Sequence, residues 1–368
     1  MGNFKLNKLI LNVCLCITVC VLAAPLVQGQ AEAQSSVLPV GTVQNVQLIS
    51  CPSGFFRGTT CYTGVVSCPS TTNIQFTYGV FNPAGSPAGT IAFFSGGEGT
   101  TVPGNDSIST YVADGFQTVQ VTWASAWEQT GTNPANIKTA ACRPATLLQY
   151  IHQSVYTGGG MCAQGDSAGS AALAYSLTEY GTGSFLDNVQ LLNGPVVSDV
   201  SVGCNPRLPP VTVCSQGCQT GSERGWPDPP QYVSLDRIYI DNWTNVSGPN
   251  ACGGLNTPPA QYSTWKAMSI VDGLSDSTFV YPQTAVSGWI CSNTSVNCHG
   301  VQCQNNTAAQ GQIFYNQIIK PAAPFAVFRV DQCAGAEGVG LGFLPPPSHQ
   351  PASQAITNNM VTNCRLRH

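Results

Sequence analysis

The 368-residue sequence has very little charge: 13 Lys and Arg and 17 Asp and Glu, so 8% of residues are charged and the formal net charge is −4. It has no basic cluster, and so lacks the phosphate-neutralising surface that nucleic-acid binding requires; no nucleic-acid partner is expected. Only four histidines occur, at positions 152, 299, 349 and 368. The short cysteine spacings Cys214/Cys218 and Cys298/Cys303 come without a matching histidine pair, so no metal is expected. A Gly-X-Gly-X-X-Gly elbow is also missing, which argues against a dinucleotide, and no organic cofactor is implied. Past the first thirty residues, no apolar run is long enough to span a bilayer.

Those first thirty residues set the compartment. Lys5 and Lys8 precede an apolar run from Leu9 to Val27, followed by Gly29, Ala31 and Ala33. This is the pattern of a secretory signal over residues 1–30, cleaved between about 28 and 34. The expected product is soluble, secreted and extracellular, with no stable membrane insertion once the signal is removed. Removal takes Cys14, Cys16 and Cys20 and leaves 14 cysteines, at 51, 61, 68, 142, 162, 204, 214, 218, 252, 291, 298, 303, 333 and 364. An even number in an exported chain predicts up to seven disulfides, whose pairing the spacing does not give. Five Asn-X-Ser/Thr sites, at Asn105, Asn242, Asn245, Asn293 and Asn305, predict glycosylated surface loops.

Periodicity organises the rest. "NIQFTYGVF", "TIAFFSGGEG", "GFQTVQVTW", "MCAQ", "NVQLLNGPVV", "YPQTAVSGWI" and "PFAVFRV" read as strands. "CRPATLLQYIHQSVY" carries an apolar stripe of Leu147, Leu148, Ile151 and Val155, with Pro144 in its first turn, and reads as a helix. "SAALAYSLTEYG", "AAQGQIFYNQII" and "SHQPASQAITNNMVTNC" also have helical spacing. Residues 35–70 read as an N-terminal strand region pinned by disulfides. Strands alternating with helices predict an α/β fold with a mostly parallel central sheet covered on both faces. One domain is expected over 35–368, with a Pro/Cys-rich insertion or lid at about 200–260 whose length exceeds an ordinary loop.

The chemistry centres on "GGMCAQGDSAGSAALAYSL". A strand running into Gly165-Asp166-Ser167-Ala168-Gly169 and then a helix is the layout of a strained nucleophile elbow. Glycines two before and two after the serine relieve crowding there. A trypsin-like reading of "GDS" fails, because Ala168 stands where that pattern needs glycine. The elbow resembles that of the α/β-hydrolase superfamily, and "GDSAG" is similar to its lipase and esterase branches. The resemblance covers about residues 70–366.

A set of site residues is implied by that resemblance. Ser167 is the nucleophile, and the backbone N–H groups of Ala168 and of Gly96 or Gly97 form the oxyanion hole, with Glu98 beside them. His349, after the last strand and before the final helix, is the base, with His299 the alternative. His152 reads as a packing or surface residue and His368 as a terminal one. Asp199, following "LLNGPVVS", is the acid; Asp272, Asp276 and Asp331 are further options. "GWICSNTS" offers only Asn293 where the acid more commonly sits. Asp166 is read as structural.

The implied activity is a secreted serine esterase acting on a small-molecule or polymeric ester. The alternative is a non-catalytic extracellular glycoprotein of the same fold. Two features favour that alternative: the missing carboxylate after "GWIC", and Glu337 in "CAGAEGVG", where a histidine would otherwise stand.

Overall fold

The computed structural model describes residues 37–129, 137–195, 197–198, 269–271, 280–291, 297–298, 301–302, 310–311, 313–331 and 350–365. Among these residues eleven strands are β1 (Thr42–Ile49), β2 (Thr60–Ser67), β3 (Ile74–Phe81), β4 (Gly89–Phe94), β5 (Gln117–Trp123), β6 (Gly160–Asp166), β7 (Asn188–Leu192), β8 (Ala285–Cys291), β9 (Asn297–Cys298), β10 (Val301–Gln302) and β11 (Val327–Asp331). Helices are α1 (Asn105–Ala113), α2 (Ile137–Ala140), α3 (Cys142–Ser154), α4 (Ala168–Tyr180), α5 (Lys320–Ala322) and α6 (Gln350–Arg365).

Nine strands form one sheet in the order β1-β2-β3-β5-β4-β6-β7-β8-β11. From β5 to β11 every neighbour pairs in parallel. The first three strands form an antiparallel extension that joins the parallel set at β5. The mostly parallel α/β reading of the sequence therefore holds. The strands β4 and β7 are buried along their whole length, as parallel strands covered on two faces must be.

Strand alternation sends successive side chains to opposite faces. One face is apolar. Ala92, Phe94, Val119, Val121, Ala163, Val189 and Leu191 pack there with Leu147, Leu148 and Ile151 of α3 and with the small residues of α4. The other carries Ile91, Phe93 and Cys162, packed with Ile108 and Tyr111 of α1 and with Met360 and Cys364 of α6. Polar side chains share this second face. Gln164 Nε2 donates to Gln190 Oε1 at 2.7 Å, and Gln190 Nε2 donates to the Ile356 carbonyl at 2.8 Å and to Asn359 Oδ1 at 2.9 Å.

Among the described residues, three disulfides fix the frame: Cys51–Cys61, Cys68–Cys142 and Cys162–Cys364. The second ties β2 to the start of α3, and the third ties β6 to the end of α6. Bridges closing long loops restrict the unfolded chain most, and the third spans 202 residues.

Most elements fall where periodicity puts them, with three differences. "NVQLLNGPVV" stops being strand at Leu192, because Asn193 takes a left-handed φ of 48°. "AAQGQIFYNQII" contains a π-helical turn, Tyr315–Ile319, ahead of α5. Helix α1 has no counterpart among the sequence-based expectations. Its run "NDSISTYVA" shows only Ile108, Tyr111 and Val112 as larger apolar residues, a weak stripe that packing reinforces. The stretch at about 200–260 lies outside the described residues.

Candidate functional site

Strand β6 delivers Ser167 to the carboxyl edge of the parallel sheet, and α4 starts at the next residue. Ser167 has φ 49° and ψ −112°, a conformation that non-glycine residues adopt only when their surroundings impose it. Three hydrogen bonds do the imposing. The Ser167 N–H donates to the Leu192 carbonyl at 2.8 Å, at the end of β7. Its carbonyl accepts from the Ala171 N–H at 3.1 Å and from Ser170 Oγ at 2.5 Å. The residue is half-buried.

The flanking glycines are required by space. A Cβ on Gly165 would stand 2.3 Å from the Gly169 carbonyl oxygen, and one on Gly169 would stand 2.3 Å from the Phe94 oxygen. Both are far inside contact distance and both meet backbone, which cannot swing away. The sharp turn thus depends on Gly165 and Gly169, as the pentapeptide implies.

Opposite the elbow lies the loop that leaves β4. Ser95 Oγ donates to the Thr101 carbonyl at 2.7 Å, and the Gly99 N–H donates to the Gly96 carbonyl at 3.1 Å, closing a tight turn. Gly96 abuts the serine, since a Cβ built on it would lie 3.1 Å from Ser167 Cβ. Gly97 takes a φ of +62°. The Glu98 side chain is exposed, while its carbonyl accepts from the Trp127 N–H at 3.3 Å. Ala168 opens α4, and the first-turn N–H groups of a helix have no intrahelical acceptor. These amides and the partial positive charge of the helix start favour an anion beside Ser167.

Asp166 is the charged residue of the elbow. Its Oδ1 accepts from Asn193 Nδ2 at 2.8 Å. A Cβ on Gly96 would lie 3.3 Å from its Oδ2, so the carboxyl separates the Asn193 turn from the β4 loop. Burial pushes its pKa up to about 6, and the bond from Asn193 opposes that rise. Asn193 is itself held by its N–H, which donates to the Trp289 carbonyl at 2.8 Å. Its role was not legible in the sequence; the Asn-Gly-Pro string signals only a turn.

The structure therefore brings Ser167, Ala168 and Gly96 together, with Gly97 the next residue of the same loop. His349, His299, Asp199, Asp272, Asp276, Glu337 and the glycosylation candidates Asn242, Asn245, Asn293 and Asn305 lie outside the described residues. Asn105 is the first residue of α1, and Asp331 ends β11. His152 is not part of the site. Its ring stacks on Phe185 at 4.8 Å and on Tyr156 at 5.4 Å, beside a cavity of about 230 Å³ that also borders Met161 and Asp187. Met161 lies at the start of β6, about 20 Å along an extended strand from Ser167. Among the described residues no group of three or more His, Cys, Asp or Glu could hold a metal, and no helix is long and apolar enough to cross a membrane.

No family model and no curated protein matches the chain. Solved structures do. One is from work on two fungal esterases from Rhizomucor miehei, with 13% identity, TM-score 0.50, and coverage of 84% of this chain and 85% of that one. Esterase Est22 is similar at 11% identity and TM-score 0.51, covering 84% and 81%. At such identities the shared property is the fold.

Proposed function

Starting from the α/β-hydrolase fold of this chain, we propose that it is a secreted serine hydrolase that cleaves carboxylic esters. The observation that carries this reading is the backbone of Ser167, held at positive φ between a strand and a helix and facing the Gly96 loop. Backbone strain of this kind is retained where the surrounding structure imposes it, and it collects at reacting groups. The two solved structures are of esterases, which supports the choice of ester over other acyl substrates.

In the proposed cycle Ser167 Oγ attacks the ester carbonyl and His349 accepts the hydroxyl proton. The resulting oxyanion lies against the N–H of Ala168 and that of Gly96 or Gly97. Collapse of the tetrahedral adduct breaks the ester C–O bond, and the imidazolium returns its proton to the leaving alcohol. Water, deprotonated by the same imidazole, then releases the acid and regenerates Ser167. Asp199 orients the imidazole and stabilises its charged form. Residue assignments beyond the elbow and its facing loop rest on the sequence resemblance.

The test is labelling of the correctly oxidised protein with a fluorophosphonate, alongside hydrolysis of a p-nitrophenyl ester. Labelling should map to Ser167 and vanish in Ser167→Ala, with turnover lowered at least about 1,000-fold. His349→Ala should be as damaging, and His299→Ala nearly silent; the reverse result moves the base to His299. An unlabelled wild-type protein sinks the enzyme reading and favours the non-catalytic glycoprotein. Parallel assay of an amide substrate separates an esterase from a peptidase.

A further inference from the structure

Arg143 is a buried cation, 1% exposed, on the first turn of α3. Its guanidinium satisfies four acceptors from two separate loops. Nη1 donates to the carbonyls of Trp127 at 2.6 Å and Gln129 at 2.5 Å, both after β5. Nη2 donates to the Thr72 carbonyl at 2.7 Å and to Thr72 Oγ1 at 3.0 Å, just before β3. Burying a guanidinium is costly, and the cost shows as a pKa lowered to about 10 by desolvation, with the nearby Glu128 carboxylate acting the other way. A fold needing only apolar packing on α3 would place a leucine here.

What the arginine holds touches the site. The segment it grips contains Trp127, whose N–H donates to the Glu98 carbonyl. A Cβ on Gly99 would stand 3.0 Å from Trp127 Cδ1 and 2.7 Å from Trp123 Cδ1, so the two indoles form the floor under the glycine turn. That turn is closed by the Gly99 N–H on the Gly96 carbonyl, and Gly96 lies against Ser167. A continuous chain of short contacts therefore runs from the guanidinium through Trp127 and Gly99 to Gly96.

We propose that Arg143 is a positioning residue for the oxyanion loop, acting through Trp127 to fix the Gly96–Gly99 turn against Ser167. The proposal rests on reading Ser167 as the nucleophile. Lysine cannot replace the fork, because a single ammonium cannot span carbonyls of two loops as a planar guanidinium does. Displacing an oxyanion donor weakens the transition state more than the ground state, so kcat should fall while KM barely moves.

The experiment measures kcat and KM per serine titrated by fluorophosphonate in the full-length oxidised protein, together with inhibition by a trifluoromethyl ketone. Arg143→Lys should lower kcat at least about tenfold, leave KM within about twofold, and weaken the ketone by the same factor as kcat. Trp127→Phe, which keeps an aromatic ring but shrinks the floor under Gly99, should act in the same direction by a smaller factor and serves if Arg143→Lys folds poorly. Leu148→Ala on the same helix is the control: it should lower Tm while kcat per titrated serine stays unchanged. Arg143→Lys and Trp127→Phe both behaving like that control would overturn the proposal and leave the esterase reading standing. A wild-type protein that takes no label overturns both.

Discussion

The two faces of the central sheet solve one problem in different ways. On the α3/α4 face, packing against the sheet is mainly apolar, with Cys68–Cys142 pinning only the start of α3, and α4, which carries no bridge, presents alanines that let it lie close to β6. On the α1/α6 face, helix α6 is attached by directional bonds: Gln190 to the Ile356 carbonyl and Asn359, Ser287 to Asn359, and Cys364 covalently to Cys162. Apolar packing is strong but tolerates small rotations, whereas hydrogen bonds and a disulfide specify one rotation and one register. The difference matches the neighbours of each helix. Helix α4 is positioned by the elbow it continues. Helix α6 comes immediately after His349, the proposed base, and has no such turn among the described residues to fix it.

The comparison predicts a ranking of costs. The largest loss should come from the apolar face: Leu148→Ala leaves a cavity in a close-packed layer and should cost about 3 kcal/mol in urea unfolding. A loss below about 1 kcal/mol would mean that the layer relaxes and is less tightly packed than its burial implies. On the polar face, Gln190→Leu keeps the volume but takes an acceptor from Gln164 and a donor from the Ile356 carbonyl and Asn359, at a cost of about 2 kcal/mol. Replacing Gln164 and Gln190 together by leucine removes both members of their bond. The double variant should therefore be less damaging than the sum of the single ones. Simple additivity would show that the two amides do not act as a unit.

The same contrast explains what the sequence made legible. Apolar alternation in "NIQFTYGVF" and "GFQTVQVTW", and the stripe Leu147, Leu148, Ile151, arise from burial, so the sheet and the helices on its apolar face could be read directly. The elbow was legible because backbone crowding admits few sequences there, and Gly165 and Gly169 show why. The polar face was not legible. Gln164 and Gln190 look like surface residues in a linear reading, since nothing local says that a helix from about 170 residues further on will cover them. Disulfide pairing was hidden for the same reason: Cys162–Cys364 depends on a contact made only in three dimensions. Arg143 and Asn193 were missed because their acceptors are backbone carbonyls, one hydroxyl and one carboxylate, scattered along the chain with no residue pattern.

The smallest expected effect concerns the last member of the polar series Cys162, Gln164, Asp166, which alternate along β6. Burial raises the Asp166 carboxyl from 3.8 to about 6, despite the bond from Asn193. A folded-state pKa above the unfolded value means that the native chain binds the proton more tightly. Its contribution to stability is therefore complete below about pH 4, declines as the unfolded state ionises between about 4 and 6, and is gone above that window. A shift near two units corresponds to at most about 3 kcal/mol, and water reaching the partly exposed residue reduces this to about 1–2 kcal/mol. Asp166→Asn keeps an oxygen to accept from Asn193 and removes the titration. Urea midpoints at pH 4 and pH 7 should therefore show the wild type losing more stability than the variant over that interval. Parallel pH dependence in the two proteins would mean that the carboxyl is solvated, and that the polar face carries its hydrogen bonds through Gln164 and Gln190 with no titrating member.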